Sequence, residues 1–322
     1  MPHLRTGPQM PASQVRIGVV KLLYFFETPP MKIILFSRRQ LPHTAGEICQ
    51  LFEAFRIFGF DYAVNEEFAP LAEELTGIRI PPEKIYGQCT GKQPANSVMV
   101  CYGGDGTLLE GVHRLCGAPI PVMGINAGHL GFLTSAPSAG LNLIFKEIAE
   151  GRLTTEARSM IEVTGDYAEQ PDTTLALNEF TVQRHGAGMI SVETYVDDQM
   201  VATYHGDGVI FSTPTGSTAY SLSAGGPVVA PTCACLVISP LAPHNLTMRP
   251  VVIPDTAVIT LHVHTRRSDA FVTLDNRVYA VGQEATFTVK RAEQKIFLAV
   301  PHNISFYDTL RNKMMWGIDI RS

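Results

Sequence analysis

The sequence predicts an α/β plus β-rich fold, in which an N-terminal open α/β nucleotide-binding domain is followed by a C-terminal β-sandwich-like domain. Three observations carry this. Residues 31–151 alternate apolar strand-like runs with stretches of helical period, the pattern of a layered sheet. From about residue 152 to 300, short β-branched and often alternating runs take over. Thirteen of the 27 glycines fall in two windows, 101–131 and 206–226, beside apolar runs, where glycine lets backbone approach a ligand. A length of 322 residues with 45% hydrophobic content supports two sizeable cores and excludes intrinsic disorder. With 25 basic against 30 acidic residues, the chain has no global attraction to nucleic acid or an anionic membrane surface. No apolar run approaches the roughly 18 residues of a helical membrane span.

Residues 32–37 read as a buried strand, and 45–58 as a helix with Ile48, Leu51, Phe52 and Phe55 on one face. A short strand at 60–64 and a helical stretch at 70–75 follow. Residues 97–102, Ser-Val-Met-Val-Cys-Tyr, form a continuous apolar run suited to a parallel strand covered on both faces. The next strand is 120–125. Strand-like runs then recur at 162–163, 175–184, 190–197, 201–205, 209–213, 257–264 and 285–289, with a helix at 217–224 between them and one more helix at 304–316. Domain limits follow at 1–30 (a leader or extension, with Met31 an alternative start), 31–151, 152–300 and 301–322.

The first glycine window runs from strand 97–102 into Gly103-Gly104-Asp105-Gly106-Thr107 and then a helix. Glycines at a strand end turn the backbone sharply and present N–H groups to an anion, aided by the following helix dipole. Neither GxxxxGK[ST] nor GxGxxG is present. Asp105 repels phosphates unless it takes a proton or binds a divalent cation. The plain structural alternative makes Asp105 a cap for a helix starting near Thr107.

The second window leads from Asp207-Gly208 through an apolar strand into Pro214-Thr215-Gly216-Ser217-Thr218-Ala219-Tyr220-Ser221-Leu222-Ser223-Ala224-Gly225-Gly226. Its hydroxyls can bind sugar and amide groups, and Tyr220 offers a ring for stacking. The structural alternative is helix capping by Thr215 or Ser217 with termination at the glycine pair. Asn178-Glu179 interrupts an apolar strand as either an edge or a ligand contact, and His205 adjoins Asp207.

Taken together, GGDGT at 103–107, Gly-Ile-Asn at 124–126, Gly-His-Leu-Gly-Phe-Leu at 128–133, Asn178-Glu179, the run 207–226, Pro243-His244 and Arg249-Pro250 resemble the NAD kinase family, in order and spacing from about Met31 to Trp316. The resemblance implies transfer of the γ-phosphoryl group of ATP to the 2′-hydroxyl of the adenosine ribose of NAD, giving NADP. It further implies Mg²⁺ or another divalent metal, a homodimer or homotetramer, and a C-terminal segment returning to the first domain. Carried over by residue, Asp105 accepts the hydroxyl proton, Gly106 contacts substrate through backbone, and Gly103, Gly104 and Thr107 form the phosphate loop. Asn178 and Glu179 bond ribose hydroxyls. Asp207, Thr215, Thr218, Ala219, Tyr220, Ser221, Leu222 and Ser223 hold the dinucleotide, and His205 bears on the choice between NAD and NADH. Gly188 and Arg277 depart from the family pattern, where some members carry a polar side chain and Gln. Arg114 and Arg158 are candidate cations for the transferred phosphoryl group.

Two other readings share some of these features. A diacylglycerol- or sphingosine-type lipid kinase shares GGDGT but lacks the Asn-Glu pair and the Thr-Gly-Ser-Thr-Ala-Tyr turn, and a non-catalytic NAD-binding sensor has no use for Asp105. The six cysteines show no metal-ligand spacing, Cys101 and Cys116 read as buried free thiols, and a reducing cytoplasm fits.

Overall fold

The computed structural model describes residues 31–39, 44–128, 131–134, 136–265, 270–302 and 304–316. The extension read at 1–30 lies outside the described residues. Strand Lys32–Phe36 pairs in parallel with Asp61–Asn65 on one side and Ser97–Tyr102 on the other, and the latter pairs with Val122–Asn126. Successive side chains of a strand point to opposite faces, so Ile33 and Leu35 enter one core while Ile34 and Phe36 enter another. Both faces are therefore covered, as the apolar runs required. Helices α1 (Ala45–Phe58), α2 (Ala69–Thr76) and α4 (Leu141–Ala149) cover the first face, with Phe55 edge-on to Phe145 at 5.3 Å. Helix α3 (Asp105–Arg114) covers the other through Leu108, Leu109 and Val112. A capping box between Thr44 and Glu47 starts α1, and Gly59 in the left-handed region (φ 66°) ends it.

The second half is a sandwich. A six-stranded antiparallel sheet runs in the order Val251–Pro254, Cys235–Leu241, Gly208–Ser212, Glu179–Arg184, Ala270–Leu274, Arg277–Ala280. Its Phe180 and Phe211 share one core with Val192, Leu261 and Phe287 of the facing sheet. That facing sheet is continuous with the N-terminal one. The 17-residue strand Glu284–Val300 pairs antiparallel with Ile259–His264 and Thr154–Gly165, and reaches Val122–Asn126 in parallel at Leu298, so one twelve-stranded sheet crosses both halves.

Four local expectations change. Residues 175–184 form two strands, Leu175–Ala176 and Glu179–Arg184, because Leu177 and Asn178 are drawn onto the Asp275 carboxylate instead of a neighbouring strand. The helix expected over 217–224 splits into a 3₁₀ turn, Thr215–Thr218, and a single turn α5, Tyr220–Ser223, with Ala219 outside helical geometry (φ −98°, ψ −129°). Cys116 is exposed and disulfide-bonded to Cys89 rather than buried and free; Cys101 is buried and free as expected. Helix α3 begins at Asp105, two residues before the expected start. The tail forms α6 (Phe306–Met314), opened by a capping box between Ser305 and Asp308.

Candidate active site

Gly104 is the N-cap of α3 and offers no side chain, so the Asp105 carboxylate is not spent on capping. It turns to the loop after strand Val122–Asn126. Its Oδ1 accepts the N–H of Leu133 (3.1 Å), the N–H of Thr134 (2.9 Å) and the Thr134 hydroxyl (2.9 Å), while among the described residues Oδ2 accepts only the N–H of Phe132 (2.8 Å). Gly131 makes this possible: a Cβ there would lie 1.9 Å from Oδ1. One carboxylate oxygen is thus closed by three donors, and the other retains room for a further proton donor. The first N–H groups of α3 have no intrahelical acceptor and lie at the positive end of the helix dipole. Arg38 adds a cation to this corner, donating through Nη2 to the Gly106 carbonyl (2.8 Å) and through Nε to Glu110 (2.7 Å). Lys313 of α6 brings another, with Nζ 3.8 Å from Oδ2 of Asp105 and 4.7 Å from the centre of the Phe132 ring.

The Asn178-Glu179 pair is held by Asp275. This carboxylate accepts the N–H groups of Leu177 (2.9 Å), Asn178 (2.7 Å) and Glu179 (3.2 Å), while its own N–H donates to the Glu179 carbonyl (2.9 Å). Asn178 and Glu179 are 6% and 7% exposed, and Asn178 Oδ1, Glu179 Oε2 and Thr215 Oγ1 have no hydrogen-bond partner among the described residues. Buried polar atoms are rarely left so, and these three lie on adjoining segments, where they can bond a polar ligand. Burial, then the Asp275 charge, pushes the Glu179 carboxyl up to about 8, against a smaller opposing hydrogen bond from the Tyr220 N–H. Burial also raises Asp275, opposed by its three backbone donors. His113 on the far end of α3 lies 3.7 Å from Asp275 Oδ2, beyond hydrogen-bond reach. Burial, with Arg277 and Arg114 nearby, lowers this imidazole to about 3, so it is neutral and the contact is no ion pair.

The second glycine window packs onto the same pair. The Asn178 carbonyl accepts the Thr213 N–H (2.8 Å), and a Cβ on Gly216 would meet that carbonyl oxygen at 2.1 Å. Its hydroxyls divide into two sets. Ser217 is buried and bonds Pro214 and Val229, and Ser221 is buried against Ser239 (2.9 Å), so both hydroxyls have partners within the fold. Thr218, Ala219 and Leu222 are half-buried, while Tyr220 and Ser223 are exposed. Asp207 pairs with Arg184 (2.6 Å), and His205 is exposed on the adjoining strand.

Two models of the ATP-NAD kinase match this chain, the N-terminal domain over residues 85–153 and the C-terminal domain over 177–300. An NAD kinase of Flavobacterium psychrophilum is 36% identical over 295 residues, covering 91% of this chain and all of the relative. The chain belongs to the NAD kinase family. An NAD kinase of Porphyromonas gingivalis is 40% identical over 224 residues, 69% of this chain and 77% of the relative. Among solved structures, an NAD kinase from Archaeoglobus fulgidus in complex with ATP superposes with a TM-score of 0.65 at 25% identity, covering 88% of this chain and 98% of that one. Yeast NADH kinase complexed with NADH shares the fold, with a TM-score of 0.79 at 21% identity over 92% and 90% of the two chains. The family reaction is phosphorylation of NAD by ATP.

Against that NAD kinase background, the expected groups fall into two linked sets, Asp105 with its loop and the 178–179 pair with the second window. Leu177, next to the pair, belongs to the same hydrophobic core as Leu108, Leu109 and Val112 of α3. The candidate cations Arg114 and Arg158 serve elsewhere: Arg114 pairs with Glu67 and Glu110 at the other end of α3, and Arg158 with Glu156. Arg277 donates to the Thr173 and Leu175 carbonyls, and Gly188 is exposed with open space around it. A cavity of about 1020 Å³ opens at the C-terminal end of α3 beside His113 and Arg277, and one of about 520 Å³ lies along α6; neither is lined by Asp105, Asn178 or Glu179. Asp275, Arg38 and Lys313 were not singled out from sequence, and Gly131 was read only as part of the 101–131 window and the 128–133 motif. An aspartate in the turn Leu-Asp-Asn-Arg reads as turn chemistry, and the other three meet Asp105 or Gly106 from 26 to 208 residues away in the chain.

Proposed function

We propose that Asp105 accepts the proton of the adenosine ribose 2′-hydroxyl of NAD as that oxygen attacks the γ-phosphorus of ATP. The new O–P bond forms as the bond from the γ-phosphorus to the β,γ-bridging oxygen breaks, ADP leaves, and NADP is the product. One observation carries the assignment: the carboxylate is withdrawn from the helix cap and clasped by the 132–134 segment, with Oδ2 holding one amide only among the described residues. Such transfer depends on positioning and charge neutralisation more than on covalent chemistry. The glycines at 103, 104 and 106 and the helix dipole of α3 suit the ATP phosphates. Asn178 and Glu179 suit ribose hydroxyls, Glu179 being protonated at neutral pH and so able to donate as well as accept. Thr215, Thr218, Tyr220 and Ser223 suit the rest of the dinucleotide, with Asp207 held by Arg184 and His205 beside it.

No cluster of three or more His, Cys, Asp or Glu among the described residues offers a protein-made metal site. Magnesium coordinates few protein carboxylates and favours substrate phosphates, so it belongs to the donor as MgATP. A homodimer or homotetramer and a cytoplasmic setting complete the proposal; the free thiols of Cys49, Cys101, Cys233 and Cys235 fit the latter, while the Cys89–Cys116 bridge is of a kind rare in a reducing compartment. The test is to incubate the purified chain with NAD and MgATP and quantify NADP, with diacylglycerol and sphingosine as competing acceptors. NADP formed and no lipid phosphorylated is the expected result. NAD binding without turnover under any donor tried would favour the sensor, and a phosphorylated lipid the lipid kinase.

A further inference from the structure

We propose that Lys313 of the C-terminal helix is a further catalytic residue, whose ammonium follows the negative charge from Asp105 onto the transferring phosphoryl group. The inference rests on the proton-accepting role given to Asp105. Among the described residues, Lys313 is the one cation within 4 Å of that carboxylate. It stands on the side of Oδ2, the oxygen with room for the ribose proton, and not on the side of Oδ1, which three donors close. At 3.8 Å the ammonium is too distant for a hydrogen bond. It is attracted but not tied, and among the described residues its three N–H donors have no acceptor and remain available to an incoming anion.

The helix is built to hold this charge in place. The capping box at Ser305 and Asp308 fixes the start of α6, buried Thr309 and Leu310 seat it, and Phe306 lies 6.4 Å from Phe132, the residue whose N–H binds Oδ2. The Lys313 ammonium then lies over the Phe132 ring, so the same loop that clasps Asp105 also seats the ammonium.

The electrostatics run in one direction. Before transfer, the ammonium balances an ionised carboxylate. When the hydroxyl proton passes to Oδ2, the carboxyl becomes neutral and its negative charge reappears on the ribose oxygen and the γ-phosphoryl oxygens. The ammonium, already in place, then has its nearest anion in the reacting group. A preorganised cation of this kind stabilises charge developing in the transition state more than the bound substrates. The other basic residues considered are engaged: Arg38 with Gly106 and Glu110, Arg114 with Glu67 and Glu110, and Arg158 with Glu156.

The experiment compares Lys313→Ala and Lys313→Arg with wild type in single-turnover NADP formation, together with KM for NAD, thermal stability and added ethylammonium. The expected result for Lys313→Ala is a fall in the transfer rate of about 10²-fold, the usual loss for one oxyanion-stabilising donor. KM for NAD should stay within about threefold and the melting temperature should be nearly unchanged, since the side chain is 35% exposed. Ethylammonium should restore part of the rate saturably, and Lys313→Arg should retain more activity than Lys313→Ala. An unchanged rate in Lys313→Ala overturns the proposal. So does a rate loss that ethylammonium leaves untouched and that travels with a lowered melting temperature, which is a structural role. Asp105→Asn is run alongside. An inactive Asp105→Asn with an unimpaired Lys313→Ala removes only the lysine, whereas an unimpaired Asp105→Asn removes the proton-accepting role and the inference built on it.

Discussion

Replacing Gly131 with alanine adds one methyl group, and the structure specifies what that group meets. It would lie 1.9 Å from Asp105 Oδ1, 2.3 Å from Thr134 Oγ1 and 2.6 Å from Asp105 Cγ. No real Cβ contact is that short, so the carboxylate must leave its clasp of three N–H groups and one hydroxyl or the 131–134 backbone must open. Overpacking of this kind costs about 1–3 kcal/mol, small enough for the variant to fold with a melting temperature lowered by a few degrees. The catalytic cost is larger, because the displaced group is the proposed proton acceptor, and positioned acid–base groups contribute ~10²–10⁴-fold. NADP formation under single-turnover conditions, beside circular dichroism, measures both effects. Gly128→Ala is the control: it lies in the same connection, and its added Cβ meets nothing within 4 Å. A Gly131→Ala enzyme within threefold of wild type, with normal folding, refutes the claim that the clasp on Asp105 matters to the reaction.

Other consequences are more local. Asp275→Asn offers one acceptor oxygen and one N–H₂ to three backbone donors, so it should lose about 2–4 kcal/mol of stability in urea titrations and raise KM for NAD as the 178–179 pair loosens. Glu179 is raised from 4.5 to about 8 by burial. The unfolded state therefore ionises first, and stability should fall as pH rises through that window, by at most ~1.4 kcal/mol per pH unit. Glu179→Gln should flatten this dependence in melts from pH 5 to 8.5, and an unchanged slope contradicts the assignment. The Cys89–Cys116 bridge spans a sequence separation of 27, so Cys89→Ser should cost about 3–4 kcal/mol relative to the oxidised protein, read as a melting difference that reductant abolishes.

Much of the frame was legible because burial imposes it on sequence. The continuous run at 97–102 and the i, i+3, i+4 spacing of Ile48, Leu51, Phe52 and Phe55 correspond to the strand Ser97–Tyr102 and to α1 over Ala45–Phe58. Residues 290–295, Lys-Arg-Ala-Glu-Gln-Lys, carry no strand signal of their own, yet they continue a 17-residue strand because Thr154–Gly165 pairs alongside across a register shift. In the site, the glycine windows and the Asn-Glu pair were visible as residue types that interrupt apolar runs. The dual role of the hydroxyls was not, since only the fold decides that Ser221 meets Ser239 while Tyr220 faces out. Asp275 was hidden for a related reason: its three donors lie 96 to 98 residues earlier.

The central claim is that Asp105 takes the ribose proton at Oδ2, and Asp105→Asn tests it most directly. An amide with its oxygen at the Oδ1 position keeps three of the four donors, so the loop remains seated while the proton acceptor is lost. Single-turnover conversion of NAD to NADP with saturating MgATP should fall ~10²–10⁴-fold, with NAD affinity retained. A variant that makes NADP within threefold of the wild-type rate would contradict it.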